Sequence, residues 1–198
     1  MPNSEIELAA LVGSRICHDL ISPIGAVNNG LELLSMAGAG SSSEMTLIGE
    51  SVDSASARIR FFRVAFGAAE NQVLGASETN GILHDYHYNT RWNVIWSPTD
   101  PQQRTDIRMC FLALLCMETG MPYGGTITVK TSGGKWTLTG QADKLSIDPE
   151  LWSVLATGQP AIKLRPAQVQ FGLLPVIARD AGKQITSQIL ENKITLSF

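Results

Sequence analysis

A histidine followed directly by an aspartate is the feature of this sequence best suited to chemistry, in the stretch ICHDLISPI at residues 16–24. A neutral imidazole is a nucleophile near neutral pH, because the unperturbed group has a pKa of about 6.5. A carboxylate beside it can accept a hydrogen bond from Nδ1, orient the ring and stabilise positive charge while Nε2 attacks. We therefore predict that His18 is the reactive group and that Asp19 orients it.

These residues lie inside a helical pattern that runs from about residue 5 to residue 36. On a helical wheel with 100° per residue and Ala9 at zero, seven apolar residues fall within about 60° of the line through Ala9, which predicts a buried stripe along the helix. The stripe consists of Val12, Ile16, Leu20, Ile24, Val27, Leu31 and Leu34. His18 falls about 180° from this line, on the predicted solvent face, with Arg15 and Ser22 within about 60° of it. Pro23 removes a backbone donor and predicts a bend.

A second helical pattern follows the small-residue turn at residues 37–43. Its apolar residues recur at alternating spacings of three and four, as in a coiled coil. This seam consists of Met45, Ile48, Val52, Ala55, Ile59, Phe62 and Phe66. Two antiparallel helices joined by a short turn form a helical hairpin, and one hairpin cannot cover both of its apolar seams. We therefore predict a homodimer in which two hairpins form a four-helix bundle, with the seam at the dimer contact.

After a predicted linker at residues 70–78, the pattern changes to a mixture of helices and strands. Helices are predicted at residues 81–88, 103–117, 149–156 and 166–181, and strands at residues 91–96, 126–131, 135–140, 184–190 and 193–198. We therefore expect an α+β chain with two domains. The first, at residues 1–73, is the helical hairpin, and the second, at residues 74–198, is a sandwich of helices over a mostly antiparallel sheet.

Composition and charge exclude several classes of function. The net charge is −3, so the chain does not have the excess of basic residues that is typical of a nucleic-acid-binding protein. The longest apolar run, residues 109–117, is shorter than the roughly 20 residues that span a bilayer. Cys17, Cys110 and Cys116 lack metal-ligand spacing, and His84 and His87 have no evident third ligand. We therefore expect a cytoplasmic protein with reduced thiols, no bound metal, and no nucleic-acid or membrane partner.

The motif His-Asp-Leu-x-Ser-Pro-Ile at residues 18–24 resembles the phosphoacceptor box of sensor histidine kinases. Residues 111–129 resemble the adenine-side helix and the following strand of the kinase ATP-binding domain, and residues 171–174 resemble a remnant of its second glycine box. In this register Cys116 replaces the asparagine that holds Mg²⁺, and a thiol is a poor ligand for that ion. Residues 138–143 replace the Asp-x-Gly-x-Gly motif that reads adenine. The resemblance therefore implies a degenerate kinase-type (Bergerat-like) α/β sandwich without ATP.

A kinase-like hairpin followed by a nucleotide-blind domain resembles the ChpT-type histidine phosphotransferases of alphaproteobacterial phosphorelays, and residues 58–67 are also similar to that family. The resemblance implies that His18 takes a phosphoryl group from one receiver aspartate and passes it to another, with Asp19 matching the family's acidic neighbour. The implied partners are receiver domains of a hybrid histidine kinase and of response regulators. They would supply the Mg²⁺, so no cofactor of the chain's own is expected.

The candidate docking residues for a receiver are Leu11, Arg15, Ile21, Ser22 and Arg63. Leu11 and Ile21 flank His18 and would be the apolar contacts, while the arginines would face an acidic receiver. Alternatively, the two apolar residues widen the buried arc of a bundle helix, and the arginines are solvated surface charges. Two other functions also remain open, an ATP-dependent histidine kinase and a non-catalytic dimeric adaptor.

Overall fold

Two long helices begin the chain, and alternating helices and strands follow them. The computed structural model describes residues 2–37, 42–68, 72–158 and 163–198. The helices are Pro2–Ala37 (α1), Ser42–Ala65 (α2), Ala76–His87 (α3), Arg104–Gly120 (α4), Pro149–Thr157 (α5), the 3₁₀-helix Pro166–Gln168 (η1) and Val169–Asp180 (α6). The strands are Val73–Leu74 (β1), Trp92–Trp96 (β2), Gln102–Gln103 (β3), Gly125–Ser132 (β4), Lys135–Gln141 (β5), Thr186–Ile189 (β6) and Lys193–Ser197 (β7). The chain thus has the predicted α+β composition.

The two N-terminal helices pack on each other, and α1 is helical through Pro23. Pro23 and Gly30 are buried on α1, and Ser51 and Ala55 are buried on α2. Three of these four residues are small, and small side chains at a helix contact let the two backbones approach closely. Within the described ranges, no helix is long and apolar enough to cross a membrane.

The buried side of α1 differs from the predicted stripe. Ile24 and Leu31 lie about 60° and 40° to one side of the predicted line, and they are 50% and 52% exposed in the single chain. The buried residues Pro23 and Gly30 lie about 40° and 60° to the other side, so the buried side is displaced from the predicted line by about 50°. The remaining stripe residues Val12, Ile16, Leu20, Val27 and Leu34 are half-buried. The apolar arc of α1 is therefore wide, and only part of it is covered within the chain.

The seam on α2 is divided into an open part and a covered part. Met45, Val52 and Ile59 are 59%, 46% and 52% exposed, and Ile48 is half-buried. Phe62, by contrast, is only 3% exposed.

Phe62 and Phe66, which were predicted to lie in the dimer seam, make contacts within the chain. Phe62 lies 5.5 Å from Phe66 and 6.1 Å from Tyr86 of α3, measured between ring centroids. Phe66 is half-buried against the same core. The second half of the chain thus covers the end of the seam, which a helical repeat alone does not reveal.

The sheet of the second half contains five strands in the order β2-β4-β5-β7-β6. β2 runs parallel to β4, whereas the remaining neighbours are antiparallel, as predicted for a mostly antiparallel sheet. The short strands β1 and β3 form a separate antiparallel pair. Since β1 begins at Val73 and α3 at Ala76, the predicted linker at 70–78 was too long, and residues 69–71 lie outside the described ranges.

The core of the second half is built around α4, which is buried almost throughout. Its residues from Met109 to Leu115 are each no more than 2% exposed, because the apolar run has no polar face to offer to water. α4 packs against α6 and β5, and α5 packs against α6. This arrangement fixes α6 and the preceding η1 against α4, and both also contact α1.

Candidate functional site

His18 projects from α1 with 81% of its side chain exposed, as predicted. Its Nδ1 atom lies 3.0 Å from Oδ1 of Asp19. An ionised carboxylate can only accept a hydrogen bond, so this geometry assigns the imidazole proton to Nδ1. Nε2 then keeps its lone pair and faces solvent. The arrangement presents a nucleophilic nitrogen to whatever surface approaches the helix.

Asp19 is itself held by Arg15, one helical turn earlier. Nε of Arg15 donates to Oδ2 of Asp19 at 2.6 Å, and the two side chains are only 15% and 12% exposed. Nη1 of Arg15 also donates to the backbone carbonyl of Ala167 at 2.9 Å. The aspartate beside the histidine is therefore fixed by an arginine that is bound to the second half of the chain.

Aromatic residues form a packed layer between the hairpin and the second half. The ring of Phe61 on α2 stacks between Tyr86 of α3 and Phe111 of α4, with centroid distances of 3.8 and 4.7 Å. Burial raises the pKa of the Tyr86 phenol well above its ordinary value, and the Glu118 carboxylate adds to the effect. Arg15 and Asp19 also influence the Tyr86 phenol, with opposite signs. The hairpin and the second half are thus joined by stacked aromatic rings.

The predicted docking residues divide into two groups. Ile21 is 70% exposed, and Ser22 and Arg63 are exposed as well. Leu11, by contrast, is half-buried and packs against the hydrophobic core, and Arg15 is bound inward as described above. The wheel could not distinguish these cases, because it contains no information about the helix that covers one flank of α1. Within the chain, Leu11 and Arg15 therefore have contacts of their own, whereas Ile21, Ser22 and Arg63 are open to solvent.

A second set of the same residue types occurs at His84, Asp85 and Arg60. Nδ1 of His84 lies 3.2 Å from Oδ1 of Asp85, and Nη2 of Arg60 donates to Oδ2 at 2.9 Å. Here, however, the arginine and aspartate are 53% and 38% exposed. Exposed ion pairs of this kind contribute little to order. The two sets therefore differ in burial rather than in chemistry.

His87, which the sequence paired with His84, points inward. Its Nε2 lies 2.8 Å from Oε1 of Glu118, and its Nδ1 lies 2.9 Å from the carbonyl oxygen of Leu83. Both ring nitrogens therefore have partners within the protein, and this histidine is part of the core contact between α3 and α4. In the described part of the chain, no group of three or more His, Cys, Asp or Glu residues could hold a metal ion.

The residues that the motif resemblance matched to a kinase nucleotide site are packed among apolar side chains. Cys116 is fully buried on α4, and burial raises the pKa of its thiol well above the ordinary value. A Cβ atom on Gly140 of β5 would lie 2.6 Å from the sulfur of Met121 and 2.8 Å from Cε of Met117. Both methionines are fully buried. Cys116 and the two methionines are therefore part of the hydrophobic core.

Comparison with known proteins places the chain in a family. Residues 76–193 match the family model described as the histidine phosphotransferase C-terminal domain. The chain therefore belongs to the histidine phosphotransferase family.

The particular members that it resembles are of the ChpT type, as the motifs indicated. It is 30% identical over 201 residues to the protein phosphotransferase ChpT of Brucella abortus (strain 2308), covering 98% of this chain and 96% of that protein. A solved structure of a bacterial phosphotransferase is also 30% identical, with a TM-score of 0.81, and the match covers 97% of this chain and 95% of that one. The similarity thus extends over the helical pair as well as the α+β half.

Proposed function

We propose that the protein moves phosphoryl groups between receiver-domain aspartates through a phosphohistidine at His18. The observation that carries this proposal is the exposed imidazole whose Nδ1 lies 3.0 Å from a nearly buried carboxylate. An ordinary surface histidine has no such fixed partner. The family supports the same reaction class, because its members are histidine phosphotransferases.

The chemistry requires little of this chain beyond presentation of the nucleophile. Nε2 attacks the phosphorus of a receiver acyl phosphate, the N–P bond forms, and the P–O bond to the receiver carboxylate breaks. The imidazole then carries positive charge while its Nδ1 proton stays hydrogen-bonded to Asp19, which stabilises that charge. Phosphoryl transfer is catalysed mainly by alignment and charge stabilisation, and the receiver would supply the Mg²⁺ for the latter. The reverse steps deliver the group to a second receiver.

The proposed docking surface consists of Ile21 and Ser22, which are exposed on α1 next to His18, and of Arg63, which is exposed on α2. Ile21 is one helical turn from the histidine and is a large apolar side chain left 70% open to water. Arg63 adds a positive charge that would suit an acidic receiver. The proposed partners are receiver domains of a hybrid kinase and of response regulators.

The exposed apolar residues of both helices support a homodimer. Ile24 and Leu31 of α1 and Met45, Val52 and Ile59 of α2 are all open to water in the single chain. A second hairpin would cover them and form a four-helix bundle, which is the usual way to bury two such stripes. This dimer would present two His18 sites.

Transfer without ATP is also proposed, on the basis of the filled region around Gly140. Calorimetry with MgATP should give no binding heat at millimolar nucleotide. A micromolar dissociation constant would instead favour an ATP-dependent histidine kinase. The proposed domain division at residues 1–73 and 74–198 makes the second half a structural support for the hairpin in place of a nucleotide-binding domain.

The decisive experiment follows the label from donor to histidine. Receiver domains phosphorylated with acetyl phosphate are mixed with the protein, and acid-labile label is measured. We expect label on wild-type protein, none on His18→Ala, and a rate reduced by about 10- to 10⁴-fold in Asp19→Ala. The matched control is His84→Ala, which removes the other exposed histidine of a His–Asp pair and should transfer normally. Label on His18→Ala would refute the site, label from ATP alone would indicate a kinase, and no label from any receiver would indicate an adaptor.

A further inference from the structure

Arg15 makes two hydrogen bonds that together join the His18 site to the core of the second half. Its Nε donates to Asp19 at 2.6 Å, and its Nη1 donates to the carbonyl of Ala167 at 2.9 Å. These two acceptors lie on different elements, α1 and η1. The planar guanidinium places its donors in a rigid fork, so both bonds constrain its orientation.

The Ala167 carbonyl is itself fixed from the core side. Nε2 of Gln170, a residue 1% exposed, donates to this carbonyl at 3.0 Å. The same nitrogen lies 3.3 Å from the Leu115 carbonyl of α4, the most buried helix of the protein. A continuous series of polar contacts thus runs from α4 through Gln170, the Ala167 carbonyl and Arg15 to Asp19.

The consequence for the active site concerns the orientation of the Asp19 carboxylate. With Oδ2 bound to Arg15, rotation of the carboxylate would break that contact, so Oδ1 stays directed at Nδ1 of His18. The exposed set of Arg60, Asp85 and His84 lacks this restraint, because its arginine and aspartate are 53% and 38% exposed rather than 15% and 12%. Partial burial makes a charge-assisted bond stronger and more directional.

We infer that Arg15 is a positioning residue: it holds Asp19 in the rotamer that places the imidazole proton on Nδ1, and it makes this alignment depend on the docking of η1 against α1. The inference rests on the proposed role of His18 as the phosphoacceptor. An arginine that served only to stabilise the fold would leave the tautomer and the reactivity of His18 unchanged on removal, provided that the protein stayed folded.

The test measures tautomer and reactivity in the full-length protein without a partner. Long-range ¹H–¹⁵N correlation spectra of ¹⁵N-histidine-labelled protein report which nitrogen of His18 carries the proton. Potassium phosphoramidate phosphorylates exposed histidines directly, with ammonia as the leaving group, and mass spectrometry gives the rate at His18 relative to His84 in the same molecule. The variants are Arg15→Ala, Arg15→Lys and Asp19→Ala, and the matched control is Arg60→Ala.

We expect Arg15→Ala to lower the Nδ1–H population of His18 and to reduce the His18-to-His84 rate ratio by roughly 10-fold. This is less than the roughly 10²- to 10⁴-fold typical of residues that transfer a proton themselves, because Arg15 acts through Asp19. Arg15→Lys, which keeps the charge but lacks the fork, should give intermediate values, and Arg60→Ala should leave His18 unchanged. Wild-type tautomer and rate ratio in Arg15→Ala would overturn the inference. If Arg15→Ala does not fold, Arg15→Lys decides: intermediate values support the inference, and wild-type values overturn it.

Failure of this inference and failure of the proposed function give different results. If Arg15 has no positioning role, receivers still label His18, and the tautomer and rate ratio of His18 are the same in the Arg15 variants as in the wild type. If His18 is not the phosphoacceptor, receivers leave it unlabelled whatever the state of Arg15.

Discussion

The dimer offers a prediction whose magnitude can be worked from the exposed seam. Ile59 is the last of the three exposed residues of the seam on α2 and is 52% exposed in the single chain. Burying a whole isoleucine side chain contributes about 1.5–3 kcal/mol, so covering the open half contributes about 1 kcal/mol in each protomer. Two symmetric copies then supply about 2 kcal/mol, which is roughly a 30-fold change in the dissociation constant.

The substitution Ile59→Asp should have a larger effect than this lost burial. A carboxylate without a partner at a covered contact costs several kcal/mol more in each protomer. We therefore expect the dimer dissociation constant to rise by more than about 10³-fold, since each 1.4 kcal/mol is a factor of ten. The single chain should keep its fold, because the side chain is half open to water before association.

Sedimentation velocity over a range of protein concentrations measures this change directly. Ser54→Asp is the matched control: it adds the same charge to an exposed residue of α2 that lies about 140° around the helix from Ile59. The control should dimerise as wild type does. An Ile59→Asp protein with a dissociation constant within threefold of wild type would show that the exposed part of the seam is not the dimer contact.

Two further predictions concern stability. Leu11→Glu should lower the free energy of unfolding by about 2–4 kcal/mol, because it places a charge against the core. Ile21→Glu should change the free energy of unfolding by less than about 0.5 kcal/mol, because Ile21 is exposed, and should slow phosphoryl transfer from the receiver instead. Urea unfolding of both variants checks this, and equal stability losses would contradict it. Burial raises the pKa of Tyr86 in the folded state, so unfolding releases a proton above about pH 10 and stability should fall as pH rises further. Tyr86→Phe should flatten this loss in unfolding curves measured at successive alkaline pH values, and an unchanged slope would show that the phenol does not titrate on unfolding.

The parts of the fold that could be predicted from the sequence are those that show a local repeat of apolar and polar residues. The strands at 92–96, 125–132 and 135–141 lie within one residue or so of their predicted bounds, because alternating residues and a Gly133-Gly134 turn are local signals. The linker prediction failed because a two-residue strand has no periodicity to detect. Its existence depends on pairing with Gln102 and Gln103, about 30 residues later.

For the proposed site, the sequence by itself determined which residue types lie together and that the histidine is exposed. His18 and Asp19 are adjacent, the helical repeat puts the histidine opposite the apolar stripe, and the structure leaves 81% of that side chain open. The four-residue spacing of Arg15 and Asp19 permits an ion pair on one helix, but the sequence analysis considered Arg15 only as a docking residue or a solvated charge. Adjacency and helical geometry need no knowledge of the rest of the chain.

Only the tertiary structure decided which of the neighbouring residues face solvent and which face the protein. Arg15 has its second partner at Ala167, 152 residues away, Phe62 contacts Tyr86 of α3, and Leu11 packs against the hydrophobic core. A helical wheel assigns each residue an angle, but it does not say which angles another element will cover. That choice depends on long-range packing, because burial is a property of the assembled fold and not of the segment.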